Sequence, residues 1–169
     1  MPKDNQNELF YHVDDQDRVL GAVKRSEAHQ SDKIIHRSVD ILVFNDQSEL
    51  LMQKRSSEKD TFPLFWTVSA SGHVSYGQSY DEAAARELEE ELGLNLPLER
   101  LYKIYVKEER EFNFIYFAFL RTKTKIEFDR DEVSAIKWVG LKQINDFARN
   151  NNLTPAALTT LSELGIINL

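Results

Sequence analysis

Between Asp81 and Glu91 the chain carries Asp81, Glu82, Glu87, Glu89, Glu90 and Glu91 against a single cation, Arg86. Most charge runs are the solvated face of a helix, but the pairing here works against that. Residues three and four apart on a helix lie about 5–6 Å from one another, so Glu87 meets both Glu90 and Glu91. Each like-charge contact costs about 0.2–0.5 kcal/mol unless something offsets it. Arg86 can pair with Glu82 or Glu90 but cannot neutralise the set. On a helical wheel Glu87, Glu90 and Glu91 flank the apolar stripe of Ala84, Leu88 and Leu92. Three carboxylates converging at a core edge suit a hard cation, Mg²⁺ or Mn²⁺, whereas zinc would want His or Cys.

Two neighbouring segments could serve the same chemistry. Gly72-His73-Val74-Ser75-Tyr76-Gly77 precedes the acidic stretch, and glycine lets backbone approach a ligand closely. Two glycines alone would equally suit an ordinary turn. Arg55 and Lys59 would neutralise phosphate oxygens beside a metal, or could be plain surface charges. Phe62, Phe65 and Tyr76 are candidate stackers, although aromatics in such places are more often core.

The elements that must hold these residues are legible in part. Ser79 with Glu82 is a capping box and Gly93 a left-handed stop, which predicts a helix between them. Thr154, Pro155 and Gly165 mark the cap, first turn and end of another, and Leu141–Arg149 is predicted helical. Strands are expected at Leu9–Val13 and Val19–Val23 around an Asp-rich turn, and at Ile41–Phe44 and Glu49–Gln53 around a second. Further strands are expected at Trp66–Ala70, residues 101–107, residues 112–121 and Ala135–Val139. This is an α/β pattern whose sheet need not be all parallel.

The chain has 169 residues, 41% hydrophobic and 29% charged, and no cysteine. That suits a single domain over 1–169, with 1–34 as an N-terminal hairpin extension. Disulfides, thiolate metal sites and cysteine nucleophiles are excluded. A net charge of −7 argues against binding duplex nucleic acid or an anionic membrane through a positive field. The N-terminus has no apolar signal core, and Phe114–Leu120 is too short to span a bilayer, so the expected location is the cytoplasm.

Gly72 followed by Arg86-Glu87-Leu88-Glu89-Glu90-Glu91-Leu92-Gly93-Leu94 resembles the Nudix box, a glycine, a spacer containing glutamate, then R-E-U-x-E-E-x-G-U with U aliphatic. The spacing from Gly72 to Arg86 fits, and the one departure is Gln78 at the spacer glutamate. The resemblance implies the Nudix fold, a mixed sheet between helices, and Mg²⁺-dependent cleavage of diphosphate linkages. It extends to the isopentenyl-diphosphate isomerase branch through Gln53-Lys54-Arg55-Ser56, Trp66 to His73, and Asp131-Glu132-Val133 ahead of Trp138. By that match His29, His36 and His73 stand where isomerases bind metal, and Arg55 and Lys59 where they hold diphosphate. Taken alone, His29 reads as structural.

The departures favour hydrolysis over isomerisation. Isomerases place a cysteine where this chain has Ser71, and their later glutamates are read as replaced by Arg110 and Phe112, with Glu111 between them. The glutamates that the isomerases largely give up, Glu87, Glu90 and Glu91, are all kept. The expected roles are metal binding by those three, their orientation by Arg86, and substrate binding by Arg55, Lys59, Gly72 and His73. The general base stays open between Glu91, Glu108, Glu109 and Glu111. The expected partner is a small-molecule diphosphate, such as a nucleoside diphosphate derivative, and a homodimer is compatible with the chain. A non-catalytic diphosphate sensor is the competing class, for which a full glutamate triad is surplus.

Overall fold

The computed structural model describes residues 4–169. Its N-terminal hairpin pairs β1 (Leu9–Val13) with β2 (Val19–Lys24). The Asp14 carboxylate closes the turn by accepting from the Gln16 and Arg18 N–H groups. A short helix, α1 (Arg25–Gln30), follows directly; six residues are too few to show a helical period in sequence.

At the centre lies β3 (Ile35–Phe44). It pairs in parallel with β8 (Glu111–Phe119) along its length from His36 to Phe44. Antiparallel contacts join it to β1 and to β6 (Ala70–His73). The strand begins well before the apolar run Ile41–Phe44, because His36, Ser38 and Asp40 are polar yet buried. The outer strand β7 (Glu99–Val106) pairs with β8. On the other side, β4 (Glu49–Arg55) pairs with β9 (Val133–Gly140) and β5 (Trp66–Thr67).

The expected strand Trp66–Ala70 is thus two strands. Between them Ser69 bridges β3 and β4, which pair only at Phe44 and Leu50. Its hydroxyl accepts from the Val43 N–H at 2.7 Å and donates to the Leu51 carbonyl at 2.6 Å.

Helices cover both faces of this mixed sheet, as expected. Side chains of a strand alternate between faces, so Val39, Ile41 and Val43 meet Ala83, Ala84, Leu88 and Leu92 of α2 (Tyr80–Leu92). Burying Leu88 and Leu92 contributes roughly 1.5–3 kcal/mol each. Leu42 turns the other way, toward α3 (Ile144–Asn150) and α4 (Pro155–Glu163). The α2 capping box forms: Glu82 N–H donates to Ser79 Oγ at 3.1 Å, and Ser79 N–H to the Glu82 carboxylate at 2.8 Å. Gly93 ends α2 at φ 64°. Thr154 caps α4, and α3 starts later than expected because Leu141–Gln143 forms a turn.

Candidate active site and an adjoining histidine centre

The Glu87 carboxyl group of α2 seats directly against position 72 of β6, where glycine leaves room for it. A Cβ there would fall inside the Glu87 carboxyl group. Glu91 accepts from the Ser71 N–H at 3.1 Å and from the Gln53 side-chain amide. Both carboxylates are largely removed from water, and burial pushes Glu87 up to about 8 and Glu91 up to about 7. Glu91 adds to the shift of Glu87 by like-charge repulsion. Glu90 is different, with 56% of its side chain exposed at the mouth.

Arg86 is the hub of this group. Its guanidinium lies 2.8 Å from Glu87 and 3.0 Å from Glu90. It donates to the His73 carbonyl at 2.8 Å and to Gln78 Oε1 at 3.2 Å. Gln78 therefore holds Arg86 from the far side, a contact its position before the helix did not reveal.

A cavity of about 350 Å³ opens over this cluster. Arg55, Lys59, Gly72, His73, Arg86, Glu87, Glu90 and Glu91 all line it, together with Arg25, Asp4, Glu8, Asp129 and Glu132. Lys59 Nζ lies 2.7 Å from both Asp4 and Glu132, and Arg55 is tied to the Thr61 carbonyl at 2.9 Å. Neither Phe62, Phe65 nor Tyr76 lines this cavity; Phe62 packs on Phe65, and Tyr76 on Tyr11. Arg25 gives no signal in the sequence, because it is buried at the start of α1, a helix too short to show a period.

Directly behind His73 lies a second group. One ligand atom each from His29, His36, His73 and Glu111 falls within 4.8 Å of the others. They come from α1, β3, β6 and β8. His29 Nε2 faces His73 Nε2 at 3.2 Å. Glu111 Oε1 lies 3.1 Å from His73 Nε2 and 3.0 Å from His36 Nε2. Phe10 stacks on His73 at 4.3 Å and on His36 at 5.5 Å. Burial drives the His73 imidazole to its neutral form. Burial also pushes Glu111 up, but the rings of His36 and His73 outweigh it and hold the carboxyl low.

The resemblance points to Arg110 and Phe112 with Glu111 between them; in the structure the carboxylates turned inward along this stretch are Glu109 and Glu111. Lys107 to Arg110 forms a tight turn, with Arg110 left-handed at φ 53°, and β8 starts at Glu111. Glu109, pushed up to about 8 by burial and by Glu111, accepts from the Ala156 N–H of α4 at 2.7 Å. Of the four candidate bases, Glu91 alone lines the cavity over the acidic cluster.

The histidine group fits a divalent cation by its geometry, and the glutamates suit one by their chemistry. Glu87 and Glu91 are close carboxylates whose mutual repulsion a hard cation would reverse. Among the histidines, His36 Nδ1 is buried with no hydrogen-bond partner, and a three-nitrogen, one-carboxylate set suits a borderline ion such as Mn²⁺, Fe²⁺, Co²⁺ or Zn²⁺.

The NUDIX domain model matches residues 34–158. Over 154 residues the chain is 35% identical to prenyl-diphosphate phosphatase of Methanosarcina mazei, covering 88% of this chain and 89% of that protein. It is 30% identical to isopentenyl-diphosphate Delta-isomerase of Serratia proteamaculans, covering 94% and 92%. Two further Nudix hydrolase relatives are matched over only 18% and 51% of their own lengths. A crystal structure from Deinococcus radiodurans superposes with a TM-score of 0.75 at 25% identity, covering 87% of this chain and 93% of that one. No helix among the described residues is long and apolar enough to cross a membrane. With the acidic helix seated against the Gly72 backbone and the domain model spanning most of the sequence, the chain belongs to the Nudix hydrolase family.

Proposed function

We propose that the protein hydrolyses a diphosphate linkage in a small molecule, with Mg²⁺ or Mn²⁺ held by Glu87, Glu90 and Glu91. The observation that carries this is the pair of buried carboxylates, Glu87 and Glu91, packed against the Gly72 backbone in a cavity that also holds Arg25, Arg55 and Lys59. When bound, such an ion polarises a phosphoryl oxygen and lowers the pKa of an attacking water. Arg86 fixes the orientation of Glu87 and Glu90, and Gly72 lets backbone come close to the phosphates. Arg55 and Lys59 neutralise charge on the phosphate oxygens. Glu91 is the favoured general base, since Glu109 is turned to α4 and Glu111 to the histidines.

The substrate enters by its charge. All the cavity's lining residues are polar, charged or glycine, so recognition centres on the diphosphate and leaves the attached group outside. A nucleoside diphosphate derivative and a prenyl diphosphate, the compound class named for the M. mazei relative, are both first choices. The test is cleavage of a panel of both classes with and without Mg²⁺, read as the two phosphomonoesters from a nucleoside diphosphate derivative and as monophosphate plus free phosphate from a prenyl diphosphate. Mg²⁺-dependent cleavage supports the reading, and none of any member contradicts it.

The histidine centre favours a second reading, a chemistry closer to that of the isomerase relatives. In it His29, His36, His73 and Glu111 would hold a second, borderline cation. Ser71 counts against isomerisation, because a hydroxyl is a far poorer acid and base near neutral pH than a thiol. The purified protein is expected not to interconvert isopentenyl and dimethylallyl diphosphates, and sustained interconversion would overturn the hydrolase assignment.

A further inference from the structure

The loop between β4 and β5 sends two consecutive charges in opposite directions. Lys59 turns to the diphosphate-sized cavity, while Asp60 turns to the histidine centre. Asp60 Oδ2 lies 3.2 Å from His29 Nδ1, and the other ring nitrogen of His29 faces His73. An ionised carboxylate can only accept. In the neutral imidazole the contact therefore puts the His29 proton on Nδ1 and leaves the Nε2 lone pair pointing into the centre.

Asp60 is itself rigidly held. Arg25 donates to both its oxygens, Nε to Oδ2 at 2.8 Å and Nη2 to Oδ1 at 3.0 Å. Gln6 donates to Oδ2 at 3.1 Å, and the Asp60 N–H donates to Asp4 at 2.8 Å. Such a two-point fork leaves the carboxylate little freedom to turn. Nor is Asp60 needed to balance the buried guanidinium, because Asp4 and Glu8 lie 3.2 and 3.3 Å from Arg25 as well.

We propose that Asp60 is a positioning residue for a divalent cation held by His29, His36, His73 and Glu111, setting the tautomer and ring angle of His29 through its Nδ1–H. This rests on reading the histidine centre as a metal site. Carboxylates behind metal-bound imidazoles typically change affinity by about 10–100-fold when removed.

The test is a Co²⁺ titration of the metal-free full-length chain, read by visible absorption, for wild type, His36→Ala, Asp60→Ala and Asp60→Asn. The His36→Ala variant identifies the signal that belongs to the histidine centre. Asp60→Ala is expected to weaken that binding by about 10–100-fold and to alter the band shape. Asp60→Asn, which keeps one acceptor oxygen, should fall between. Nitrogen-15 spectra of the metal-free histidines should show the Nδ1–H form of His29 in wild type and its loss in Asp60→Ala. A merely structural role would lower the melting temperature in EDTA without moving either readout. Should Asp60→Ala fail to fold, Asp60→Asn and the wild-type tautomer decide the matter. Wild-type Co²⁺ affinity and band in the folded Asp60 variants would overturn the role of Asp60 alone. A wild type with no His36-dependent Co²⁺ signal would overturn the centre and Asp60's part in it together.

Discussion

Two clusters of ligand-type side chains sit back to back in this protein, sharing His73, and they are built in opposite ways. The glutamates come from adjacent turns of a single helix, so their separation is set by helical geometry and needs only the glycine at 72 to admit them. The histidine centre draws one residue each from α1, β3, β6 and β8, so its geometry depends on the whole sheet being in register. One lysine–aspartate step, Lys59-Asp60, touches both. The contrast teaches that a site carried by one element is robust and readable, whereas a site carried by four is fixed only when the tertiary structure closes.

The largest effect should come from the acidic helix. Glu90→Gln and Glu91→Gln should each lower the turnover number by at least about 100-fold with the circular dichroism unchanged. Full activity in both would move the metal elsewhere and dissolve the contrast. Next comes the glycine. Gly72→Ala forces the Glu87 carboxyl aside, and misplacement of this kind costs about 10- to 100-fold in rate. A Mg²⁺ titration should show a raised metal requirement in this variant, and an unchanged one would mean that Glu87 does not need its seat against Gly72.

Asp40 is the control for a buried carboxylate outside either cluster. It lies on β3, accepts from Thr160 at 2.5 Å, and burial pushes it up to about 6 from 3.8. Its raised folded pKa means that the chain is most stable below about pH 4 with respect to this group. That contribution is lost as pH rises through about 6. Asp40→Asn should therefore gain up to about 3 kcal/mol near pH 7.5 and nothing near pH 4, as read by urea unfolding at both values. An equal gain at both would show that ionisation is not the cause.

The smallest effect is expected at Gln78. Its oxygen accepts from Arg86 at 3.2 Å, so Gln78→Glu should pair with Arg86 and leave the half-saturating Mg²⁺ concentration within about twofold, since a surface ion pair contributes only about 0–1 kcal/mol. A clear drop in that concentration would instead make position 78 a metal ligand.

What could be read in the sequence follows the same division. The α2 caps, its apolar stripe and its carboxylates are local, and each was visible in spacing alone. Thr154 and Pro155 marked α4 for the same reason. Strand β3 was read short because His36, Ser38 and Asp40 interrupt the apolar pattern, and these polar residues are buried for reasons that only their neighbours supply. The resemblance marks the histidines, but nothing along the chain joins them to Glu111, which the turn at Arg110 aims inward. Arg25 and Asp60 carried no signal at all, since a six-residue helix and a surface-like loop look ordinary until Arg25, His29 and Asp60 are seen together.

The most direct test of the central claim, that diphosphate chemistry belongs to the acidic helix, is one assay of two products. Wild type and Glu91→Gln are incubated with isopentenyl diphosphate and with a nucleoside diphosphate derivative across a Mg²⁺ series, and both the monophosphate products of hydrolysis and the allylic isomer are measured. Mg²⁺-dependent hydrolysis of at least one of the two by wild type is expected, with its loss by at least about 100-fold in Glu91→Gln, and no isomer. Undiminished hydrolysis by Glu91→Gln, or isomer formed in place of hydrolysis products, would contradict it.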